Sequence, residues 1–237
     1  MGALQTADRH SALAALREQL AELQLPQIVC GRRAIILFEG PVGSGKKAAL
    51  RQLSASLDPC HCAVHSTGFD RREASEGHWL ARFWRQLPSA GNTSIFFRSW
   101  YRRVLDDRLL GRIDEAAAER AFDEINEFEA QQLDYGTLIV KLYFDVGAEV
   151  QEQRLAERSA NPWWRAARRD EPVMVADPAY RAAFEQLTAH SDTRWSPWRV
   201  IDGNDEEAAA LGALEAVRDA WARAMPAEPA HLVNSAA

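Results

Sequence analysis

The sequence predicts a three-layer α/β fold, a parallel central sheet with helices on both faces. Three observations carry that expectation. Apolar runs alternate with stretches of helical spacing along the chain. The first of these runs, Ala34-Ile35-Ile36-Leu37-Phe38, is continuously apolar. That pattern belongs to strands buried on both faces rather than on one. The first run also passes straight into a glycine-rich turn and then a helix start, the signature of a βα unit.

The elements follow in order. Leu13, Leu16, Leu20 and Leu23 recur at spacings of three and four over 11–24, one apolar helical stripe, which Pro26 is expected to end. After the strand at Ala34 to Phe38, a helix opens at Ala48-Ala49-Leu50. Cys62 to His65 is a second strand of weaker pattern, 71–87 a helix stopped by Pro88, and Ser94 to Phe97 a third strand. Asp114 supplies a side-chain cap for a helix over 114–134. Thr137 to Val146 is the strand richest in β-branched and aromatic residues. A helix over 148–159 follows it, then an Arg-, Trp- and Pro-rich stretch, 160–177, without a clean period. Helices over 178–190 and 205–224 flank a last strand, Trp198 to Asp202. The tail after Pro226 is expected to be flexible. With no internal repeat and no linker composition, residues 1–237 are expected to form one domain.

The 237 residues carry 28 Lys and Arg against 34 Asp and Glu, a net charge of −6. That balance argues against a general nucleic-acid binder, which needs a broad cationic footprint. No run approaches the ~20 apolar residues of a membrane span. The N-terminus shows no apolar signal core, so a cytoplasmic protein without a membrane partner is expected. Cys30, Cys60 and Cys62 are too few and too unevenly spaced for a disulfide framework. Cys60-His61-Cys62-Ala63-Val64-His65 lacks the two separated ligand pairs of a zinc site, and core cysteines with surface histidines are expected instead. No Ser/His/Asp or Cys/His order supports hydrolase chemistry. Of eight tryptophans, Trp79, Trp84, Trp100 and Trp198 are expected in the core or against the sheet. Exposed ones would serve a homo-oligomer or partner surface.

Gly40-Pro41-Val42-Gly43-Ser44-Gly45-Lys46 fits G-x-x-x-x-G-K and lies between a buried strand and a helix start. Gly40, Gly43 and Gly45 allow successive backbone N–H groups to curl around a phosphate. The helix N-terminus adds a partial positive charge and Lys46 a full one. Ser44 and Lys47 complete the candidate phosphate contacts in this loop. The plainer reading is a glycine-rich turn that happens to hold a lysine; the strand-to-helix context favours phosphate. A Ser or Thr after the lysine would normally help to hold Mg²⁺. Lys47 stands there instead, so Mg²⁺ is a candidate cofactor for which no metal ligand can be named. Arg98, Arg102, Arg103, Arg108 and Arg112 then make a cationic segment after the third strand, where Phe97 occupies the place an acidic metal ligand would take. Arg98 and Arg102 are candidate phosphate contacts, and Lys46 with Arg98 the candidate catalytic pair. The alternative is a solvated helix face paired to Asp106 and Asp107.

Several short motifs together resemble the polyphosphate kinase 2 family over roughly residues 10–222. They are Phe38-Glu39-Gly40 through Lys46, Leu87-Pro88 with Gly91, Arg98-Ser99-Trp100-Tyr101, Phe128-Glu129, Lys141, Gln153-Arg154-Leu155 and Ser196-Pro197-Trp198. Phe83-Trp84-Arg85 with Leu87-Pro88, then Phe96-Phe97 and Ser99-Trp100-Tyr101, look most like the amino-terminal half of tandem polyphosphate:AMP phosphotransferases. That half is thought to be the less competent one. The resemblance implies a P-loop kinase-like fold and, as ligands, inorganic polyphosphate with a nucleotide (ADP, AMP or ATP). It also implies a lid at about 160–177, with Arg165, Arg168 and Arg169 as its phosphate contacts. A surface loop whose tryptophans pack on the sheet edge is the alternative to a lid.

The resemblance further implies two aspartates that organise Mg²⁺, and here the chain departs from it. Val42 stands in the loop position, Phe97 stands before Arg-Ser-Trp-Tyr, and Lys47 replaces a glycine. Phosphoryl transfer depends on positioning and charge neutralisation, and losing one well-placed stabiliser typically costs ~10²–10³ in rate. The expectation is a chain that binds polyphosphate or nucleotide and transfers phosphate weakly or not at all. Two alternatives stand beside it: a fully active polyphosphate-dependent nucleotide kinase with a relocated metal site, and a partner-regulating pseudokinase module. A third is a small-molecule kinase of another P-loop family, using Asp70 or Glu73 as metal ligand or base.

Overall fold

The computed structural model describes residues 2–67, 77–167 and 178–226. Five strands, β1 (Arg33–Glu39), β2 (Cys62–Ser66), β3 (Thr93–Phe97), β4 (Thr137–Asp145) and β5 (Trp198–Asp202), form one sheet. All neighbours pair in parallel, in the order β2-β3-β1-β4-β5. Side chains alternate across the sheet, so each strand feeds two cores. Ile35, Leu37, Phe96, Ile139 and Tyr143 face α5 (Glu115–Asp134) and α8 (Pro178–Ser191), meeting Phe122, Ile125, Phe128 and Leu187. Ala34, Ile36, Phe38, Val140, Leu142 and Phe144 face the other way. There Leu20 of α1 (Gly2–Val29), Leu53 of α2 (Lys46–Ser54) and Leu214 and Trp221 of α9 (Glu206–Ala224) close over them. This two-sided burial is why β1 and β4 read as continuous apolar runs. No described helix is long and apolar enough to cross a membrane.

Three sequence expectations are corrected. Pro26 does not end α1, which continues to Val29 because the carbonyls around the proline still accept. Cys30 N–H donates to Pro26 O and Arg32 N–H to Gln27 O, each at 2.9 Å. Of the helix expected over 71–87, residues 71–76 lie outside the described residues, and over 77–87 only one turn, α3 (Ala81–Trp84), is helical, preceded by Gly77 at φ 95°, a conformation no helix interior accommodates. Asp70 and Glu73 lie outside the described residues, as does the tail after 226. The cysteines are not in the core: Cys30 and Cys60 are exposed and Cys62 is half-buried on the edge strand β2. Among the tryptophans, Trp100 and Trp198 are buried while Trp84 is 46% exposed. Elsewhere, α4 (Asp106–Leu109) adds a short turn, α6 (Ala148–Ser159) follows β4, and the aperiodic stretch contains α7 (Pro162–Ala167).

Lys141 of β4 is fully buried and donates to Glu129 Oε2 at 3.0 Å, Ser191 O at 2.7 Å and Tyr101 Oη at 3.3 Å. Trp100 Nε1 donates to the other Glu129 oxygen at 2.9 Å. A buried charge is tolerated only when paired and hydrogen-bonded in this way. The pair ties β4 to α5 and α8 and is framework.

The chain leaves β1 toward β3 and β2, then crosses to β4 on the other side. The C-terminal ends of β1, β3 and β4 therefore border a switch in strand order, where parallel α/β sheets take their ligands.

Candidate functional site

The loop from Gly40 to Lys46 occupies that switch. Gly40 has φ 129°, and a Cβ there would stand 2.4 Å from Phe144 O, so only glycine lets the turn pass this close to β4. Gly43 and Gly45 also take positive φ, 86° and 82°, and Gly45 caps the start of α2. Lys46, 4% exposed, folds back over the loop. Its Nζ donates to Gly40 O, to Pro41 O at 2.6 Å and to Ser44 Oγ at 3.2 Å. Lys47, the next residue of α2, is exposed.

Two residues of α6 hold the loop from behind. Gln151 Nε2 donates to Val42 O at 2.7 Å. Arg154 donates to Gly43 O at 2.9 Å and to Gly203 O at 2.6 Å. At the end of β1, buried Glu39 accepts from both the Ser99 N–H (2.5 Å) and its Oγ (2.7 Å), joining the β1 and β3 ends. Burial raises the Glu39 carboxyl above its ordinary range, and the Ser99 bonds offset this only in part. Asp106 of α4 is also raised by burial, against the pull of Arg98, Arg102 and Lys46.

The five arginines after β3 separate. Arg98 has φ 66°, strained backbone for a bulky residue, immediately beside the loop. Arg102 is 4% exposed and pairs with Asp106 at 3.7 Å and Asp107 at 3.6 Å. Arg112 also pairs with Asp107, at 3.1 Å, and Arg108 with Glu115. The pairing to Asp106 and Asp107 is therefore present, though Arg102 makes it in the interior and not on a solvated face. Arg165, in α7, donates to Ser159 O at the end of α6. Arg168 and Arg169 lie outside the described residues. Trp163 is 82% exposed, so it does not pack on the sheet edge.

The donors beside the loop do not suit Mg²⁺, which takes carboxylate and phosphate oxygens in near-octahedral order. Val42 and Phe97 offer none. Glu39 is bonded to Ser99, Asp106 is paired with Arg102, and Asp145 at the end of β4 is paired with Arg181 at 3.1 Å. Among the described residues, no three His, Cys, Asp or Glu side chains are grouped to hold a metal ion.

A family model described as polyphosphate kinase 2 matches residues 3–229. The chain belongs to the polyphosphate kinase 2 family. It is 33% identical over 192 residues to a polyphosphate:AMP phosphotransferase of Pseudomonas syringae pv. tomato, a match covering 80% of this chain and 39% of that protein. An ADP-polyphosphate phosphotransferase 2 of Rhizobium meliloti is 28% identical over 215 residues, 90% of this chain and 70% of that protein. The chain spans about two-fifths of the length of the polyphosphate:AMP phosphotransferases it matches. A crystal structure of polyphosphate kinase 2 from Arthrobacter aurescens TC1 superposes with a TM-score of 0.81 at 24% identity, covering 97% of this chain and 86% of that one. The likeness establishes the P-loop kinase-like fold.

Within this polyphosphate kinase 2 chain, sequence reasoning overlooked Gln151, named Asp106 only as a partner on a solvated helix face, and used Arg154 only as a family motif. Glu39 carried a signal, as an acidic residue ending an otherwise apolar buried strand. Gln151 carried none, since its partner is 109 positions away in sequence.

Proposed function

We propose that this chain binds polyphosphate, a nucleotide, or both at the Gly40–Lys46 loop, and transfers phosphate weakly or not at all. One observation carries the proposal. The loop keeps its glycine turns, its lysine and its α6 supports, while Val42 and Phe97 stand at the two positions where the family resemblance expects metal-organising aspartates. Ligand phosphates would displace Lys46 from the Gly40 and Pro41 carbonyls and take its charge in their place. Arg98, Arg102 and Lys47 are proposed as further phosphate contacts, and Arg165, Arg168 and Arg169 as lid contacts. For Arg102 this requires release from Asp106 and Asp107. The chain's motifs look most like the amino-terminal half of the tandem polyphosphate:AMP phosphotransferases. The cytoplasm, where nucleotides are abundant, is the proposed location.

Thermal unfolding with ligand tests this reading. A ligand at a hundredfold excess over its Kd stabilises the native state by about 2.7 kcal/mol, roughly 5–10 °C in Tm for a chain of this size. Polyphosphate or ADP is expected to raise the Tm of the wild type with or without Mg²⁺, less at high salt, and not that of Lys46→Ala. Equal Tm values with and without both ligands would refute the proposal.

A further inference from the structure

We infer that Arg154 is a positioning residue for phosphate binding. Together with the turn between β5 and α9, it sets the direction in which the Gly40–Lys46 loop presents its N–H groups. The inference rests on the phosphate-binding reading of the loop and deepens it, by giving a role to groups that touch no ligand themselves. The loop divides its carbonyls between two sides. Those of Gly40 and Pro41 turn toward Lys46 Nζ. The next three turn outward, toward α6 and the β5–α9 turn. Val42 O accepts from Gln151 Nε2 at 2.7 Å, and Gly43 O from Arg154 Nη1 at 2.9 Å. Ser44 O lies against Gly203, where a Cβ would stand 2.3 Å from it and 2.6 Å from Asp145 O, so only glycine brings the turn this close. In a trans peptide the C=O of one residue and the N–H of the next point in opposite directions. Holding the carbonyls of Val42, Gly43 and Ser44 on the outer side therefore aims the N–H groups of Gly43, Ser44 and Gly45 at the inner side. There Ser44 N–H makes a stretched bond, 3.4 Å to Pro41 O, which a phosphate oxygen would replace.

Arg154 is the hub of the outer side. Its Nη1 also donates to Gly203 O at 2.6 Å, and its Nη2 to Asn204 O at 2.8 Å. One guanidinium thus ties the loop to a turn that is itself fixed at the end of β4. Gly203 N–H donates to Asp145 O at 2.6 Å, and Asn204 Oδ1 accepts from Gly147 N–H at 2.8 Å. The Arg154 side chain is 14% exposed and committed to these carbonyls, so it acts through the loop and not on a ligand. A rigid planar fork of donors serves three carbonyls at once, which a single ammonium on a flexible stem does not. Gln151 and Arg154 stand three positions apart and so share one face of α6. Arg158, a turn further on, pairs with Glu206 at 3.3 Å, the same carboxylate that lies 3.9 Å from Arg154 Nε. Removing Arg158 therefore perturbs that ion pair without releasing a loop carbonyl.

Two readouts on the wild type, Arg154→Met, Arg154→Lys and Arg158→Gln test the inference. One is the amide NMR signals of Gly43 and Ser44 without ligand, and the other is calorimetry with linear polyphosphate and with ADP, well below the Tm of each variant. Both Arg154 variants are expected to move the two signals. They are also expected to weaken whichever ligand the wild type binds by about tenfold, the scale of one hydrogen bond to a charged group. Arg158→Gln is expected to match the wild type in both readouts. A lowered Tm with wild-type affinity in Arg154→Met would make the residue framework alone and overturn the inference. Unmoved signals would overturn it in every case, and combined with lost affinity would mark Arg154 as a direct ligand contact instead. A wild type that binds neither ligand, with signals that still move in the Arg154 variants, would remove the phosphate reading and leave the hold of Arg154 on the loop standing.

Discussion

The ammonium of Lys46 lies 5.9 Å from the centre of the Phe97 ring. At position 97, where the family resemblance implies an aspartate, the lysine instead meets an aromatic ring, whose π-face stabilises the cation without offering a metal an oxygen. Phe97 also packs against the core beneath the loop. Phe97→Asp is therefore expected to lower Tm, while making ADP binding depend on Mg²⁺. Calorimetry of this variant with Mg²⁺ and with EDTA checks it, and identical affinities in the two buffers would speak against the relationship.

Lys141 and Glu129 give a prediction about stability alone. Lys141→Met leaves Glu129 as a buried carboxylate without its cationic partner, a situation that costs about 3–5 kcal/mol. Adding Glu129→Gln removes the stranded charge, and the double variant is expected to recover most of the loss. Urea denaturation of the three proteins measures this. A single-variant loss below about 1 kcal/mol, the scale of an exposed pair, would show that the pair is not buried in solution.

The buried carboxyls beside the loop predict a pH dependence. Burial raises Glu39 above its ordinary 4.5 and Asp106 above 3.8. Both therefore hold protons more tightly in the folded chain than in the unfolded one. Their contribution to stability is complete below the unfolded values and is lost as pH rises through the raised ones. The stability of the wild type relative to Glu39→Gln should accordingly fall between pH 4 and neutrality, and likewise for Asp106→Asn. A relative stability that grows with pH would reverse the sign and contradict the assignment.

Thiol chemistry tests the edge of the sheet. Burial pushes the Cys62 thiol up to about 11, whereas Cys30 and Cys60 are exposed. Only the thiolate reacts, so alkylation near pH 8 should modify Cys30 and Cys60 well before Cys62. Peptide mass spectrometry over time reports the order, and simultaneous labelling of all three would be inconsistent with β2 as described.

Much of the fold was legible because it rests on local patterns. The bounds of β5 and of α6 agree with the sequence reading, β1 is longer by one residue at each end, and β4 is shorter by one at its C-terminal end, since burial on both faces leaves continuous apolar runs. The stretch before Pro88 misled because Leu80, Phe83 and Leu87 repeat at helical spacing, yet they reach the core from one short turn and its flanks. The loop was legible as a motif, but its supports were not. Arg154 and Gln151 reach it across more than a hundred positions, and nothing local announces such contacts. The arginine segment shows the same limit. Sequence displays five positive charges, and only the fold shows that Arg102, Arg108 and Arg112 have acidic partners while Arg103 leans on Trp79.

On the proposed reading, the scaffold holds phosphate while Val42 and Phe97 withhold the transfer chemistry. The most direct measurement is ATP formation from polyphosphate, ADP and Mg²⁺ by the wild type, Lys46→Ala and the double variant Val42→Asp/Phe97→Asp. Little or no product is expected from the first two and at least ~10²-fold more from the double variant, the scale of restoring one electrostatic stabiliser. Fast, Lys46-dependent ATP formation by the wild type, unimproved in the double variant, would contradict that reading.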